Sequence, residues 1–202
     1  MQKKIPAVIM RGGTSRAVFF KKEDLPADQA QWESIFLSAL GSPDPPGRQI
    51  DGLGGGVSSN IKVAVISPSD DPRYDVIYYF GQVAIDRSDV DFAGNCGNIA
   101  SAVAPFAIDE GLVQAVEPLT SVRIHQYNTD TLILAEARVL NGRFESSGDY
   151  AISGINGTGS RITLRFVDPG GTVTSKLLPT GNVVDVLKDI DDLGDIVCSI
   201  VD

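Results

Sequence analysis

The chain has 202 residues, with 43% hydrophobic and 21% charged residues, a composition typical of a globular protein with an ample core. Its net charge of -9 argues against binding nucleic acid or an anionic membrane by general attraction, and no stretch approaches the ~20 apolar residues of a membrane span. Two cysteines do not make a secreted disulfide framework, and the apolar run after Lys3 and Lys4 is too short for a signal peptide, so we expect a cytoplasmic protein.

Two short strands are predicted first, over residues 5–10 and 17–20, joined by the sequence RGGTSR. A tight link of small polar residues is typical of a hairpin turn. The same link could bind an anion, because its glycines expose N–H groups and Thr14 and Ser15 supply hydroxyls beside Arg11. The turn is favoured, and anion binding stays open.

Residues 28–40 carry apolar side chains at helical spacing and end before Gly41, which predicts an amphipathic outer helix. The loop over residues 42–56 is dense in proline and glycine. It is too long to be only a connector, so we expect it to be mobile or functional.

A third strand is predicted over residues 61–66, where Lys62 stands in an otherwise apolar run. A lysine in such a strand normally points to solvent from the exposed face of a sheet. If it pointed inward beside a pocket, the loss of solvent would favour its neutral form and suit it to proton transfer. Periodicity does not choose between the two.

The sequence DFAGNCGNIASAVAPFAIDEGL, residues 91–112, is the feature around which we expect the fold to be organised. Apolar residues cover all sides of the predicted helix from Ile99 to Ile108, so the helix must be enclosed. Cys96 lies at its N-terminus, where unpaired N–H groups and the helix dipole favour a substrate carboxylate or the cysteine thiolate. Alternatively, Cys96 is a small apolar residue in a turn.

The remaining strands are predicted over residues 74–85, 121–127, 131–139, 160–166, 172–178 and 196–201. Many strands around one apolar helix predict an α+β domain in which a curved sheet wraps round a central buried helix. His125 lies in a strictly alternating strand, which favours a surface or edge position over a catalytic one. The sequence contains no recognisable metal-binding cluster.

Eight segments along the whole chain resemble the PrpF-like isomerases. They are MRGGTS at 10–15, GSPDP at 41–45, QIDGLGG at 49–55, SSNIK at 58–62, YYFGQVAID at 78–86, GNCGNIAS at 94–101, PFAIDEGLV at 105–113 and LPTGN at 178–182. That family includes 2-methylaconitate cis-trans isomerase, methylitaconate Δ-isomerase and 4-oxalomesaconate tautomerase. The resemblance points to the family but does not choose among the substrates.

The resemblance implies a diaminopimelate-epimerase-like fold, in which each of two lobes wraps a curved, mostly antiparallel sheet around a central buried helix. Because family members are about twice as long, residues 1–184 are expected to be the N-terminal lobe. Residues 185–202 would then be a crossing segment toward a second lobe that this chain lacks, as in a proteolytic fragment or a natural truncation. The exposed cleft is expected to pair with that lobe or with a second copy in a homodimer.

The resemblance further implies an isomerase without cofactor or metal, acting on an unsaturated di- or tricarboxylate such as 2-methylaconitate. A carbon acid loses a proton, charge spreads into the conjugated carboxylate, and a proton returns after rotation or at another carbon. Lys62 and Cys96 match the family's acid–base pair. The implied carboxylate-binding residues are Arg11, Thr14, Ser15, Ser58, Ser59, Asn95, Gly97 and Asn98.

Two other functions remain possible from the residues. A catalytically silent lobe could act as a carboxylate-binding or interaction module, since it would keep the anion site without the second half of the active site. A hydrolase with Cys96 as nucleophile and His125 as base is disfavoured, because His125 has no orienting context in the sequence.

Overall fold

The computed structural model describes residues 3–171 and 174–202. The chain divides into two compact units, Met1–Arg165 and Phe166–Asp202, which are described separately. None of the helices in the described ranges is long and apolar enough to cross a membrane.

The described residues of the first unit contain two α-helices and most of the strands. Helix α1 spans Trp32–Leu40 and helix α2 spans Gly97–Asp109. The strands are β1 (Val8–Gly12), β2 (Ser15–Lys21), β3 (Lys62–Pro68), β4 (Val76–Val83), β5 (Val90–Asp91), β6 (Leu119–Gln126), β7 (Thr131–Leu140) and β8 (Arg143–Phe144). Strand β9 (Thr163–Val167) begins in this unit and ends in the second.

In the described part of this unit, a continuous sheet runs in the order β1-β2-β3-β4-β6-β7-β8, and β5 pairs with β4. The β2–β3 and β4–β6 pairs are parallel, and the other pairs along this path are antiparallel. A parallel pair needs a long crossover connection. Helix α1 with its following loop supplies the first crossover, and α2 supplies the second.

One face of the sheet packs against α2. Register aligns Phe19 with Ala64 and Ala64 with Phe80, so these side chains share a face. The ring of Phe19 lies 5.3 Å from that of Phe106 on α2. Every α2 residue from Ile99 to Ile108 is buried except Ser101, which confirms the prediction of an enclosed helix.

The opposite face packs against α1. This second core consists of Val18, Phe20, Leu25, Trp32, Phe36, Leu40, Ile61, Val63, Val65, Tyr79, Val83 and Val90. The indole N–H of Trp32 donates to the carbonyl of Pro26 at 2.8 Å, and Gly41 ends α1 in the left-handed region at φ 67°. The outer helix and its cap are therefore as predicted.

The loop over residues 42–56 is organised by Gln49, which is 2% exposed. Its side-chain amide donates to the carbonyl of Leu40 at 3.0 Å and accepts from the N–H of Gly56 at 2.8 Å. The carboxylate of Asp44 accepts from the N–H of Arg48 at 2.8 Å. These bonds close the loop on the end of α1.

The described residues of the second unit include a hairpin, formed by β10 (Asp185–Ile190) and β11 (Gly194–Cys198). The prediction of a strand over residues 172–178 is wrong for residues 174–178. Residues 172 and 173 lie outside the described residues, and 174–178 form turns and bends. The hydroxyl of Thr174 bonds the carboxylate of Asp202 at 2.7 Å and the carbonyl of Lys176 at 3.1 Å, and such local bonds compete with strand pairing.

Replacing Phe106 by alanine should lower the free energy of unfolding by about 3–5 kcal/mol, because it opens a cavity between α2 and the sheet. Urea denaturation followed by circular dichroism measures the change. Val116→Ala is the control, since Val116 is 54% exposed and its truncation should cost within about 0.5 kcal/mol. Equal losses in the two variants would contradict the proposed core.

Candidate active site

The β1–β2 turn lies against the first turn of α2. Gly12 pairs with Ser15, which leaves Gly13 and Thr14 as a two-residue turn with Gly13 at φ 51°. The side-chain amide of Asn98 donates to the hydroxyl of Thr14 at 3.1 Å and accepts from the Thr14 N–H at 3.4 Å. The predicted turn is confirmed, and it borders the helix end that was expected to favour an anion.

Close backbone approach explains the glycine at position 12. A Cβ atom added to Gly12 would lie 2.9 Å from the Cα of Ile99 and closer still to the carbonyl oxygen of Asn98. Any larger residue would therefore push the hairpin away from α2. The contact fixes the hairpin relative to the helix N-terminus.

Cys96 is the N-cap residue of α2 and is half-buried. Its carbonyl accepts from the N–H of Ala100 at 2.9 Å, while its side chain makes no capping hydrogen bond. The first N–H groups of a helix have no partner inside the helix and carry its positive partial charge. The thiol and these donors are thus at the same end of the helix, as the sequence predicted.

Lys62 begins β3 and is only 9% exposed, so its side chain points inward. Its ammonium group donates to the side-chain oxygen of Gln82 and lies 5.4 Å from the centre of the Phe80 ring. The amide of Gln82 in turn donates to the carbonyls of Ile61 at 3.0 Å and Ser58 at 3.2 Å. Of the two orientations left open by the sequence, the structure shows the inward one.

A pair of aromatic rings lies beside Lys62 on the α2 face. Tyr78 and Phe80 alternate along β4 with their ring centres 6.5 Å apart, and the Lys62 amine lies over the second ring. Burial raises the pKa of Tyr78 well above its usual range, and the negative charge of Cys96 raises it further. The Lys62 amine therefore borders this ring pair.

The other predicted site residues occupy the same end of the sheet. Ser15 is 5% exposed and stands two residues before Ala17, which pairs with Lys62. The guanidinium of Arg11 donates to the carbonyl of Gly13 at 2.9 Å.

The serines before β3 and the asparagine before Cys96 complete the predicted set. Ser58 and Ser59 lie in a 3-10 turn directly before β3, and Ser58 connects to Lys62 through Gln82. The side-chain oxygen of Asn95 is buried and has no hydrogen-bond partner among the described residues. Gly97 and Asn98 are the first two residues of α2.

A cavity of about 140 Å³ adjoins the hairpin and the first turn of α2. Its lining includes Arg11, Gly13, Ser101, Tyr150 and Ser160. Larger cavities of about 670 and 610 Å³ both border α1. The first is also lined by the N-terminal residues and β2 and the second by the loop after α1, and neither is lined by Lys62 or Cys96. The candidate donors lie where α2 and the hairpin meet, which is beside the smaller cavity and not beside the larger ones.

Sequence analysis missed the residues that hold Lys62. Gln82, Phe80 and Tyr78 lie at alternating positions of β4 and share its α2 face. A glutamine within the otherwise apolar run YYFGQVAI was the available signal, because a buried amide needs polar partners.

His125 does not lie at a sheet edge, but its side chain is partly exposed on the sheet face, which is the other of the two positions predicted for it. It is on β6, which pairs with both β4 and β7. Its ring stacks on Tyr74 at 4.6 Å, and its Nε2 atom lies 2.8 Å from the Asp130 carboxylate.

The described residues include no group of three or more histidine, cysteine, aspartate or glutamate side chains that could hold a metal ion.

The chain is similar to a known protein family and to named isomerases. The family model described as PrpF protein matches residues 2–202. The 3-methylitaconate isomerase of Eubacterium barkeri is 51% identical over 201 residues, which are 100% of this chain and 52% of that protein. The 2-methyl-aconitate isomerase of Cupriavidus necator is 43% identical over 199 residues, covering 93% of this chain and 50% of that protein.

Solved structures show the same fold. A crystal structure of methylitaconate-delta-isomerase matches with a TM-score of 0.85 and 52% identity, covering 98% of this chain and 50% of that one. A hydroxyproline epimerase from Agrobacterium vitis matches with a TM-score of 0.51 at 14% identity, covering 94% of this chain and 46% of that one. The second likeness concerns the fold alone and confirms the predicted epimerase-like α+β architecture. The chain spans about half the length of the relatives it matches.

Gly12→Ala should lower the free energy of unfolding by about 1–3 kcal/mol, because the added methyl group overlaps the backbone of α2. Gly94→Ala is the matched control, since a Cβ atom there meets nothing within 4 Å. Urea denaturation of both variants compares the two positions. A smaller loss for Gly12→Ala than for Gly94→Ala would contradict the close approach.

Proposed function

The chain belongs to the PrpF family, and we propose that it carries the acid–base half of an isomerase that moves a proton on an unsaturated di- or tricarboxylate without a cofactor. The two relatives above are named as isomerases of methylitaconate and 2-methyl-aconitate, which supports this class of substrate. Both substrates carry carboxylates conjugated to, or one carbon away from, a double bond.

The observation that carries the proposal is the buried amine of Lys62 on the α2 face, at the end of the sheet where Cys96 caps the helix. A C–H bond next to a carboxylate is weakly acidic, so its cleavage needs a base close to the carbon and stabilisation of the resulting dienolate. The thiol supplies a base when ionised. The ammonium group and the helix N-terminus supply positive charge for the dienolate.

Carboxylate binding is assigned to the first turn of α2 and the hairpin beside it. The N–H groups of Gly97 and Asn98 are available to an anion, and the hydroxyls of Thr14 and Ser15 are adjacent donors. Arg11 supplies a further positive charge at the end of the hairpin. This local positive field offsets the net charge of -9 that would otherwise repel a polyanion.

The proton transfer proceeds in two steps. The Cys96 thiolate takes the allylic proton, and the released electron pair spreads over the double bond into the conjugated carboxylate. The Lys62 ammonium group then gives a proton to the other end of the allylic system, which moves the double bond and leaves a neutral amine. If the anion instead rotates and the Cys96 thiol returns the proton to the original carbon, the result is cis–trans isomerisation. Proton exchange with solvent restores the thiolate and the ammonium group.

A carboxylate-binding or interaction module is the second candidate. The chain spans about half the length of its relatives, and groups from the remainder of those proteins could be needed for turnover.

We further propose that a complementary lobe or a second copy covers the site, and that the protein acts in the cytoplasm, where its two free cysteines stay reduced.

Proton NMR in deuterated water tests the isomerase. Methylitaconate and 2-methylaconitate are each incubated with the chain, and we expect deuterium to enter at one allylic carbon. Lys62→Met and Cys96→Ala should each slow this exchange by about 100-fold or more, because each removes an acid–base group.

Matched controls are Lys22→Met and Cys198→Ala. Lys22 donates to the hydroxyl of Tyr79, which belongs to the α1 face, and Cys198 lies on β11, so both variants should keep the exchange rate. Exchange that survives both site substitutions would contradict the assigned acid–base pair. Calorimetric binding of the acids without any exchange would instead support the binding module.

A further inference from the structure

The sequence contains two Asn-Gly pairs, Asn141-Gly142 and Asn156-Gly157, and neither belongs to the candidate active site. Asparagine is prone to lose its side-chain amide when glycine follows it, because glycine has no Cβ atom to hinder attack by its own backbone nitrogen. Both pairs are exposed to solvent. The surroundings of the two pairs differ, so the structure distinguishes two sites that are alike in sequence.

The reaction exchanges one bond at the side-chain carbonyl carbon of asparagine. The glycine N–H loses its proton to a base in the solvent, and the nitrogen attacks that carbon. A new C–N bond forms, and the bond to the side-chain nitrogen breaks, so that this nitrogen leaves as ammonia with a proton from water. Water then opens the succinimide ring to aspartate or isoaspartate. The glycine nitrogen must therefore be able to lose its proton and to turn toward the asparagine side chain.

Asn141 and Gly142 form a restrained turn between β7 and β8. Leu140 pairs with Arg143 across the turn, and the φ values of Asn141 and Gly142 are both positive, at 54° and 73°. Two-residue turns of this shape are matched to the twist of the strands that they join, so turning the glycine nitrogen toward the side chain would disturb the strand pair.

A carboxylate also holds the nucleophile of this turn. The N–H of Gly142 donates to a side-chain oxygen of Glu117 at 3.0 Å. A nearby negative charge disfavours loss of the N–H proton, because a second negative charge would form beside the first. Attack by the nitrogen would also give up this hydrogen bond. Asn141 is therefore protected by the fold.

Asn156 and Gly157 lie at the tip of a loop. Tyr150 and Gly159 exchange two backbone hydrogen bonds of 3.0 Å, which close the loop over residues 151–158. The N–H of Gly157 donates to no described residue, and a Cβ atom added to this glycine would meet nothing within 4 Å. Neither a strand pair nor an acceptor restrains the nucleophile here.

We propose that Asn156 is a site of spontaneous conversion to isoaspartate and aspartate, and that the β7–β8 turn with Glu117 protects Asn141 from the same reaction. The product carries a carboxylate in place of the amide. The loop that gains this negative charge is flanked by Tyr150 and Gly159, which line the cavity beside Arg11. The conversion needs only water and base, so the inference stands apart from the proposed isomerase.

The test follows the full chain during incubation in mildly alkaline buffer. Trypsin cleaves after Arg138, Arg143 and Arg161, which places the two asparagines in separate peptides. Mass spectrometry reads the gain of one mass unit in each peptide, and an isoaspartate-specific methyltransferase with a labelled methyl donor identifies isoaspartate. A sample digested without incubation gives the background.

We expect Asn156 to convert at least about tenfold faster than Asn141, because reaction at Asn141 gives up the bond to Glu117 and strains the strand pair. The rate at Asn156 should rise with pH, since the glycine nitrogen must lose a proton. Equal rates at the two asparagines in the folded chain would overturn the inference.

Glu117→Ala tests the protecting bond. It removes the acceptor of the Gly142 N–H, so conversion at Asn141 should become about threefold faster while the rate at Asn156 stays the same. Glu136→Ala is the matched control, because it removes an exposed carboxylate from β7 and leaves the Gly142 bond intact. An unchanged rate at Asn141 in Glu117→Ala, or an equal increase in Glu136→Ala, would contradict the role of Glu117.

Unfolding separates the effect of structure from that of sequence. In guanidinium chloride the chain loses both the turn and the bond to Glu117, so the two asparagines should convert at similar rates. If Asn141 stayed as slow in the unfolded chain as in the folded one, its protection would not come from the fold, and the inference would be wrong.

Discussion

The contact between the β1–β2 turn and the first turn of α2 is the constraint on which the rest of the site depends. No side chain fits at Gly12, and Thr14 and Asn98 exchange hydrogen bonds across the contact. The helix N-terminus therefore cannot move away from the hairpin without breaking these bonds. Because β2 and β3 pair in parallel from Ala17 and Lys62 onward, the same contact brings the lysine to this end of the sheet.

Electrostatics at this end differ from those of the chain as a whole. The net charge is -9, yet the α2 face carries both the helix N-terminus and the Lys62 amine. A helix dipole contributes about 0.3–1 kcal/mol to binding an exposed anion, and up to about 2 kcal/mol where it is partly buried. The partner of Lys62 is the neutral amide of Gln82 rather than a carboxylate, so its charge is left for a ligand. The candidate donors for an anion thus come from local packing and not from composition.

Sequence reasoning predicted the parts of the fold that periodicity determines. An apolar run on all sides of residues 99–108 required an enclosed helix, and a glycine-rich link between two strands required a turn. It left Lys62 undecided because residues 61–66 are buried on both faces of the sheet, so the alternation that would orient the lysine is missing. Resemblance to the family, rather than any local pattern, singled out Lys62 as functional.

Other features depend on pairing between distant strands and could not be predicted locally. His125 was expected at a surface or edge position, and it is not at the edge, because β6 lies between β4 and β7. The grouping of Tyr78, Phe80 and Gln82 with Lys62 follows from the register of β4 with β3, which no short pattern reveals. Strand signals near residue 174 were overridden by side-chain bonds to Asp202, a residue far along the chain.

A crystal structure of the chain with a saturated, unreactive dicarboxylate such as methylsuccinate would test the central claim most directly. The account predicts one carboxylate at the N–H groups of Gly97 and Asn98, with the two carbons between the carboxylates within about 4 Å of the Cys96 sulfur and the Lys62 nitrogen. Binding on the α1 face, or a pose in which only one of the two groups reaches the ligand, would contradict it.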